Sequence, residues 1–322
     1  MKNGQGVWKS ITGSSTFGGL MILAAEIILM CVLKGNTFLN PINLLSVVRS
    51  FSFTAICALG AYFVIVSGGI DLSIGSVLCL SGLVGGIALS CWGMPIIIAI
   101  VISMLVGMAC EAINGVFVTK FGFPPFIATL GMMSIARGVG YGITGGKNVA
   151  LKSFTAFKFL GQGYIVGIPV PVYAMIAIAL IVVFVMNKTV FGRRVFAVGG
   201  NHQAARVSGI NTKQIQLFAY VICGATAGIA GILTAARLGV AMPSSGTGME
   251  FTAITALLMG GVSLNGGKGN PIGALIGAAI MGILENALLL LSINAYWQEA
   301  IQGLAVIVAI FFDRLRYRTA EG

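Results

Sequence analysis

Residues 72–110 read LSIGSVLCLSGLVGGIALSCWGMPIIIAIVISMLVGMAC, a stretch without a charged side chain. A helix that crosses the hydrocarbon of a bilayer needs about 20 mostly apolar residues, so this stretch is too long for one crossing. Gly93-Met94-Pro95 interrupts it, because glycine favours turns and proline ends helices. The stretch therefore predicts two membrane-spanning helices joined by a short turn.

The same pattern extends over most of the 322-residue chain. Charged residues make up 8% of it, against about 25% in soluble domains, and the mean hydropathy is +1.01. These values exclude a soluble enzyme and a soluble domain on one anchor. We predict an all-α polytopic transmembrane bundle, a single domain over 1–322, with about ten spans, although eight or nine also fit. The predicted spans are 17–33, 46–66, 72–91, 94–114, 125–144, 169–187, 214–236, 251–264, 271–291 and 296–312. The short, glycine-flanked 251–264 segment fits a half-helix as well as a full crossing.

The basic residues predict the orientation of the bundle. Lys and Arg number 19, against 8 Asp and Glu. With ten spans and the N-terminus inside, the inner segments hold twelve basic residues and the outer segments five, including Lys147, Lys152 and Lys158. Because basic residues are retained on the cytoplasmic side, the termini are predicted to be N-in and C-in. The basic residues are scattered between apolar runs, which argues against nucleic-acid binding.

Two segments of the chain resemble each other. Residues 53–59 read FTAICAL and residues 251–257 read FTAITAL, and each is followed by a Gly-Gly-aliphatic-x-Leu turn, at 68–72 and 260–264. Transporters often arise from duplicated halves whose broken helices lie near the transport pathway. Chance similarity between apolar, glycine-rich segments is the alternative.

Acidic residues within the apolar runs are candidates for function, because charge in hydrocarbon is costly. Glu26, Glu111 and Glu285 lie in predicted spans, and Asp71 lies in the glycine-rich break after the second span. A hydrogen bond between helices is the alternative role for each. An autonomous proton- or ion-coupled carrier would use such residues, so this class of protein remains a hypothesis.

Motifs for catalysis or nucleotide binding are absent from the sequence. Gly267-Lys268 and Gly146-Lys147 are followed by Gly269 and Asn148, so neither completes a P-loop. The one histidine, His202, lies in a polar loop without a catalytic partner pattern. We therefore expect no enzyme activity, no cofactor and no bound metal on this chain.

The basic, polar segment 188–213 is called here the coupling segment. Asn201 is a typical N-cap for a short helix over 202–207, and Gly209 is a typical C-terminal stop. A solvated loop that only sets the topology is the alternative. Because such a loop needs no embedded helix, we favour a docking surface for a cytoplasmic partner.

Several motifs give the chain a family resemblance. The coupling segment carries Gly192-Arg193, Ala197-Val198-Gly199-Gly200-Asn201, Ala204-Ala205-Arg206 and Ser208-Gly209-Ile210. Further pieces are SGGIDLSIGS at 67–76, Asn114-Gly115, PFIATLG at 125–131 with Arg137-Gly138, and GGVSL at 260–264 with Gly266-Gly267. In this order, over about 45–290, they resemble the permeases of ribose-type ABC importers.

The resemblance implies a monosaccharide permease subunit in the bacterial inner membrane, with a cytoplasmic ABC ATPase, a second permease and a periplasmic sugar-binding protein as partners. ATP would bind to the ATPase. The resemblance also implies that the ATPase is contacted by Gly199, Gly200, Asn201, Ala204, Ala205, Arg206 and Gly209. Candidate residues of the sugar pathway are Asp71, Asn114, Phe126 and Thr129. The sugar could be a pentose, a hexose or a related furanose.

Overall fold

The computed structural model describes residues 15–151 and 154–321, in which α-helices dominate. Two of the twelve inner basic residues counted for the orientation, Lys2 and Lys9, and one of the five outer ones, Lys152, lie outside the described residues. The helices are α1 Ser15–Phe38, α2 Pro41–Val66, α3 Ile74–Ser90, α4 Ile96–Thr119, α5 Pro125–Thr144, α6 Thr155–Gln162, α7 Val170–Lys188, α8 Val190–Gly200, α9 His202–Val207, α10 Thr212–Leu238, α11 Met249–Met259, α12 Pro271–Leu290 and α13 Ala295–Glu321. Four two-residue strands form two antiparallel pairs: β1 Val149–Ala150 with β4 Val240–Ala241, and β2 Tyr164–Ile165 with β3 Ile168–Pro169.

A helix lies at each of the ten positions where the sequence predicts a span. Seven of these helices in the described residues are long and apolar enough to cross a membrane: α1, α2, α4, α5, α7, α10 and α12. The apolar parts of α3, α11 and α13 are shorter. The 11 residues of α11 extend over about 16 Å, half of a hydrocarbon core of about 30 Å. An all-α, multi-pass bundle is confirmed, and the number of full crossings stays a prediction.

Helix α10 lies at the centre of the bundle and packs against α2, α3 and α4. Its contact with α4 is made backbone to backbone at Gly107 and Gly224, where a methyl group on either residue would overlap the carbonyl oxygen of the other. Helices α3 and α10 also meet backbone to backbone, because a methyl group on Gly82 would overlap the carbonyl oxygen of Gly231, and one on Gly231 would overlap that of Leu78. Such small residues let helices in membranes pack closely.

The segment between α5 and α7 is folded onto one end of the bundle. β1 pairs with β4, and Gly161 of α6 packs against the backbone of Arg237 at the end of α10. The side chain of Arg49 donates a hydrogen bond to the carbonyl of Gln162 (3.2 Å) and lies over the ring of Tyr164. These contacts attach the segment to α2 and α10, at the end of α10 opposite to α9.

Candidate functional site

The coupling segment is folded into two short helices, α8 and α9. The predicted helix over 202–207 is confirmed, and the side chain of Asn201 caps it by accepting a hydrogen bond from the Ala204 amide (2.9 Å). Gly209 has φ +81°, a conformation that favours glycine, and lies just beyond the helix. Helix α8 is a feature that the sequence interpretation missed. Its N-cap is Thr189, whose hydroxyl accepts from the Gly192 amide (3.2 Å).

The predicted coupling residues face two directions. Ala205 is buried and Gly199 is half-buried, so both point toward the membrane-spanning helices. The others are exposed: Gly200, Asn201, Ala204, Arg206 and Gly209. Val207 is 89% exposed, an apolar side chain that the sequence interpretation did not include in this surface. The exposed residues can be contacted by a partner protein, and the two inward-facing ones, Gly199 and Ala205, connect the segment to the bundle.

Gly199 connects the coupling segment to two breaks between helices. The first break (67–73) separates α2 from α3, and the second break (260–270) separates α11 from α12. The Gly267 amide donates a hydrogen bond to the carbonyl of Val66 at the end of α2 (2.9 Å). A methyl group at Gly199 would overlap both that carbonyl oxygen and the Gly267 nitrogen. The end of α8 and the two breaks therefore meet at one point, called here the glycine junction.

Helices α2 and α11 end with the same local geometry. Gly68 and Gly261 both have φ +87°. The amides of Gly68 and Gly69 donate to carbonyls three and five residues earlier, and those of Gly261 and Val262 repeat this pattern, each at 2.9 Å. In the sequence match Gly68 is aligned with Gly260. In the structure Gly68 corresponds instead to Gly261, one residue further along the chain. This turn is a common way to end a helix, so it leaves the duplication hypothesis open.

Two buried carboxyl groups lie beside the first break. Ser73 is in hydrogen-bond contact through its hydroxyl with Asp71 Oδ1 (2.7 Å) and with Glu111 Oε1 (2.8 Å). The amide of Asn114 donates to the Ser73 hydroxyl (2.9 Å) and to Glu111 Oε2 (3.0 Å). The thiol of Cys223 donates to Asp71 Oδ2 (3.3 Å). Asp71, Ser73, Glu111 and Asn114, called here the carboxyl cluster, join the first break to α4 and α10.

The number of hydrogens in the carboxyl cluster limits its charge. The Ser73 hydroxyl has one hydrogen and cannot donate to both carboxyl groups. A second hydrogen must therefore lie on Asp71 or Glu111 for both short contacts to be hydrogen bonds. With a shared proton the cluster carries at most one negative charge, which lowers the cost of burying it.

The predicted pathway residues are distributed over different environments. Asp71, Asn114 and Thr129 are 1%, 0% and 0% exposed. The hydroxyl of Thr129 donates to the carbonyl of Pro125 (3.0 Å), one turn earlier in α5. Phe126 is 49% exposed at the start of α5. Of these four residues only Phe126 is accessible to a ligand in this conformation. Asp71 and Asn114 bond Ser73 in the first break, and Thr129 contacts the carbonyl of Ile70 there (3.4 Å).

Arg137 is an intramembrane cation whose partners the sequence interpretation did not identify. Its guanidinium donates to the carbonyls of Pro243 (3.0 Å) and Ser245 (2.6 Å), in the segment that leads into α11. The thiol of Cys79 also donates to the Pro243 carbonyl (3.2 Å). These bonds hold the re-entrant segment (242–248) between α3 and α5. The charge within a span was the available signal, since such residues are rare and often functional.

The fold and these sites define a class of protein, a multi-pass helical membrane protein with helices broken at glycine-rich turns, a feature of many transporters. The chain belongs to the family described as "Branched-chain amino acid transport system / permease component", whose sequence model matches residues 43–310. The chain is therefore a transport component and not an enzyme.

Three bacterial relatives illustrate this family. The ribose import permease protein RbsC of Bacillus subtilis is 38% identical, over 92% of this chain and 91% of its own. The D-allose transport system permease protein AlsC of Escherichia coli is 37% identical, over 93% and 91%. The L-arabinose ABC transporter permease protein AraH of Azospirillum brasilense is 32% identical, over 97% and 90%. No solved structure matches the chain significantly. These relatives confirm the resemblance to ribose-type permeases and the location in the bacterial inner membrane.

Proposed function

We propose that this chain is the membrane-spanning permease subunit of an ABC importer for a monosaccharide. The named cargoes of the three relatives, ribose, allose and arabinose, are neutral sugars. The single observation that carries the proposal is their similarity over more than nine-tenths of this chain. The sequence has no P-loop, so ATP hydrolysis is assigned to a partner chain.

The proposal gives the coupling segment the role of docking site for a cytoplasmic ABC ATPase. The exposed residues in and beside α9 support this role, among them Asn201, Ala204 and Arg206. A second permease, identical or related, and a periplasmic sugar-binding protein complete the importer. The topology that fits this arrangement has ten spans with N-in and C-in, which places 188–213 in the cytoplasm, within a single permease domain over 1–322.

The glycine junction supplies a route for coupling in this proposal. Movement of α9 by the ATPase would be passed through Gly199 to the end of α2 and to Gly267, because these backbones are in contact without side chains between them. The first break continues into the carboxyl cluster through Asp71, and Tyr62 of α2 donates to the Gly269 carbonyl (3.0 Å) in the second break. Displacement of α9 would thus reorient both broken helices together and open the pathway, in which Phe126 remains a candidate contact.

Reconstitution tests this function directly. The chain is placed in proteoliposomes with or without its ATPase and binding protein, and the uptake of labelled D-ribose, D-allose, L-arabinose and L-leucine is measured. We expect uptake of a sugar that requires ATP and both partners. Uptake by the chain alone, driven by a proton gradient, would establish the autonomous carrier instead, and uptake of leucine alone would reassign the cargo.

A matched pair of variants tests the docking role. Ala204 in α9 and Ala150 in β1 are both exposed, at opposite ends of α10. Ala204→Arg is expected to prevent co-purification of the ATPase, while Ala150→Arg leaves it intact. Equal ATPase binding by the two variants would refute the docking assignment.

A further inference from the structure

A cavity lies between α5, α13 and the start of α11. Its volume is about 500 Å³, within the range of about 300–1,000 Å³ that is typical of small-molecule sites. Its lining includes Met133, Thr247, Glu250, Phe251, Gln302 and Gly303. None of the predicted pathway residues lines it, and none of the lining residues belongs to the coupling segment.

The cavity lies about halfway along the length of the bundle, measured along the axis of α10. Asp71 is bonded to Cys223, 11 residues from the start of α10, and Leu78 contacts Gly231, 19 residues from it. Residues 71–78 therefore lie alongside the middle part of α10, which is about 40 Å long. Glu250 and the re-entrant segment pack against Gly75, within this stretch, where a methyl group would overlap the Glu250 carboxyl group. The cavity beside them is at the same depth.

The lining combines groups that suit a neutral, hydroxyl-rich ligand. Gln302 offers an amide that both donates and accepts hydrogen bonds, and the hydroxyl of Thr247, which donates to the Ser244 carbonyl (2.9 Å), can still accept one. Glu250 is 2% exposed, and its Oε2 is buried against Gly75 of α3, so this oxygen is not accessible from the cavity in this conformation. The ring of Phe251 is 49% exposed and offers an apolar face. None of the described residues of the lining is a lysine or an arginine, so they offer no counter-ion to a phosphate or a carboxylate.

We propose that this cavity is a transient binding site for the monosaccharide during its passage, formed where the re-entrant segment and the half-helix α11 meet α5 and α13. The inference rests on the proposed function and adds the residues that contact the sugar. Polar groups on one side bond its hydroxyls, and Phe251 packs against its C–H face. Met133 of the lining and Phe126 are two turns apart on the same side of α5.

Blocking the cavity tests the inference. Gly303 in α13 and Gly131 in α5 are helical glycines with no atom within 4 Å of an added Cβ, and only Gly303 lines the cavity. Gly303→Trp and Gly131→Trp are compared in the complete importer in proteoliposomes, with labelled D-ribose, D-allose and L-arabinose as probes. We expect Gly303→Trp to lower ATP-dependent uptake by at least about tenfold, an effect of the size that pocket changes produce, and Gly131→Trp to leave it unchanged.

A second pair of variants decides the question if Gly303→Trp fails to assemble. Phe251→Ala is expected to lower uptake and Phe251→Tyr to restore it, while both assemble with the ATPase because the ring is half exposed. Wild-type uptake by Phe251→Ala, or equal uptake by the two tryptophan variants, would overturn the cavity assignment while the importer itself still functions. Absence of ATP-dependent sugar uptake in the wild type would instead refute the proposed function.

Discussion

Replacement of Gly199 by alanine is the sharpest test of the glycine junction. The added methyl group would overlap the Val66 carbonyl oxygen and the Gly267 nitrogen, which are hydrogen-bonded to each other at 2.9 Å. Overpacking costs about 1–3 kcal/mol and a lost hydrogen bond about 1 kcal/mol, so the closed junction is destabilised by about 2–4 kcal/mol. At about 1.4 kcal/mol per factor of ten, its population falls by roughly 30- to 700-fold relative to the separated state.

The assay measures three quantities on the complete importer. These are sugar uptake, co-purification of the ATPase, and the melting temperature of the assembled complex. The matched control is Gly142→Ala in α5, because a Cβ there meets no atom within 4 Å. We expect Gly199→Ala to retain the ATPase, because the exposed face of α9 is unchanged, but to lose most of its uptake. Uptake and melting temperature equal to those of the control would refute the packing at the junction. Loss of ATPase binding would show that Gly199 acts in docking and not in transmission.

Three further predictions concern buried side chains. Ala205→Glu is expected to reduce the amount of assembled permease in membranes, measured by immunoblot, because Ala205 is buried. The control Ala204→Glu should assemble and lose only the binding of the ATPase. Equal assembly of the two variants would contradict the burial of Ala205. Glu111→Gln is expected to keep the carboxyl cluster intact, since an amide can donate to Ser73 and accept from Asn114, while Glu111→Leu removes both of these bonds and costs about 1–3 kcal/mol in thermal unfolding; a Gln variant as unstable as Leu would show that a negative charge is required. Arg137→Ala removes two charge-assisted bonds worth about 1.5–3 kcal/mol each, and a melting temperature like that of wild type would refute the anchoring of the re-entrant segment.

The positions of the helices could be predicted from the sequence because they depend on local properties. Apolar length locates the spans, and the break at 91–95 follows from Gly93 and Pro95. Asn201 and Gly209 likewise mark the ends of α9, because capping is decided by residues next to one another. Helix α8 was missed since two arginines and two terminal glycines suggest a loop. It is stabilised by burial of Val195 and Val198 against other helices, which the local sequence does not show.

The candidate site was predictable only in part because its contacts are long-range. Asp71 and Glu111 were separate candidates, and only the fold shows that Ser73 joins them. Gly199 looks no different from the other 45 glycines in the sequence, and its importance comes from the two backbones that meet it. The partners of Arg137 are main-chain carbonyls, which every residue has. Phe126 and Thr129 lie close together in sequence, yet one is exposed and the other buried.

The backbone contact between Gly107 and Gly224 also limits how this protein can change shape. The carbonyl oxygen of each glycine lies against the Cα atom of the other. Sliding of α4 along α10 by a single residue would therefore bring a side chain against a main-chain oxygen. Shear between these two helices is therefore blocked, and they must travel as one rigid body. The alternation between two openings that the proposed function requires would then depend on hinges, and the two glycine-containing breaks are the places where the φ and ψ angles of such hinges can change at low cost. The pair α4–α10 would be the fixed frame against which those hinges turn.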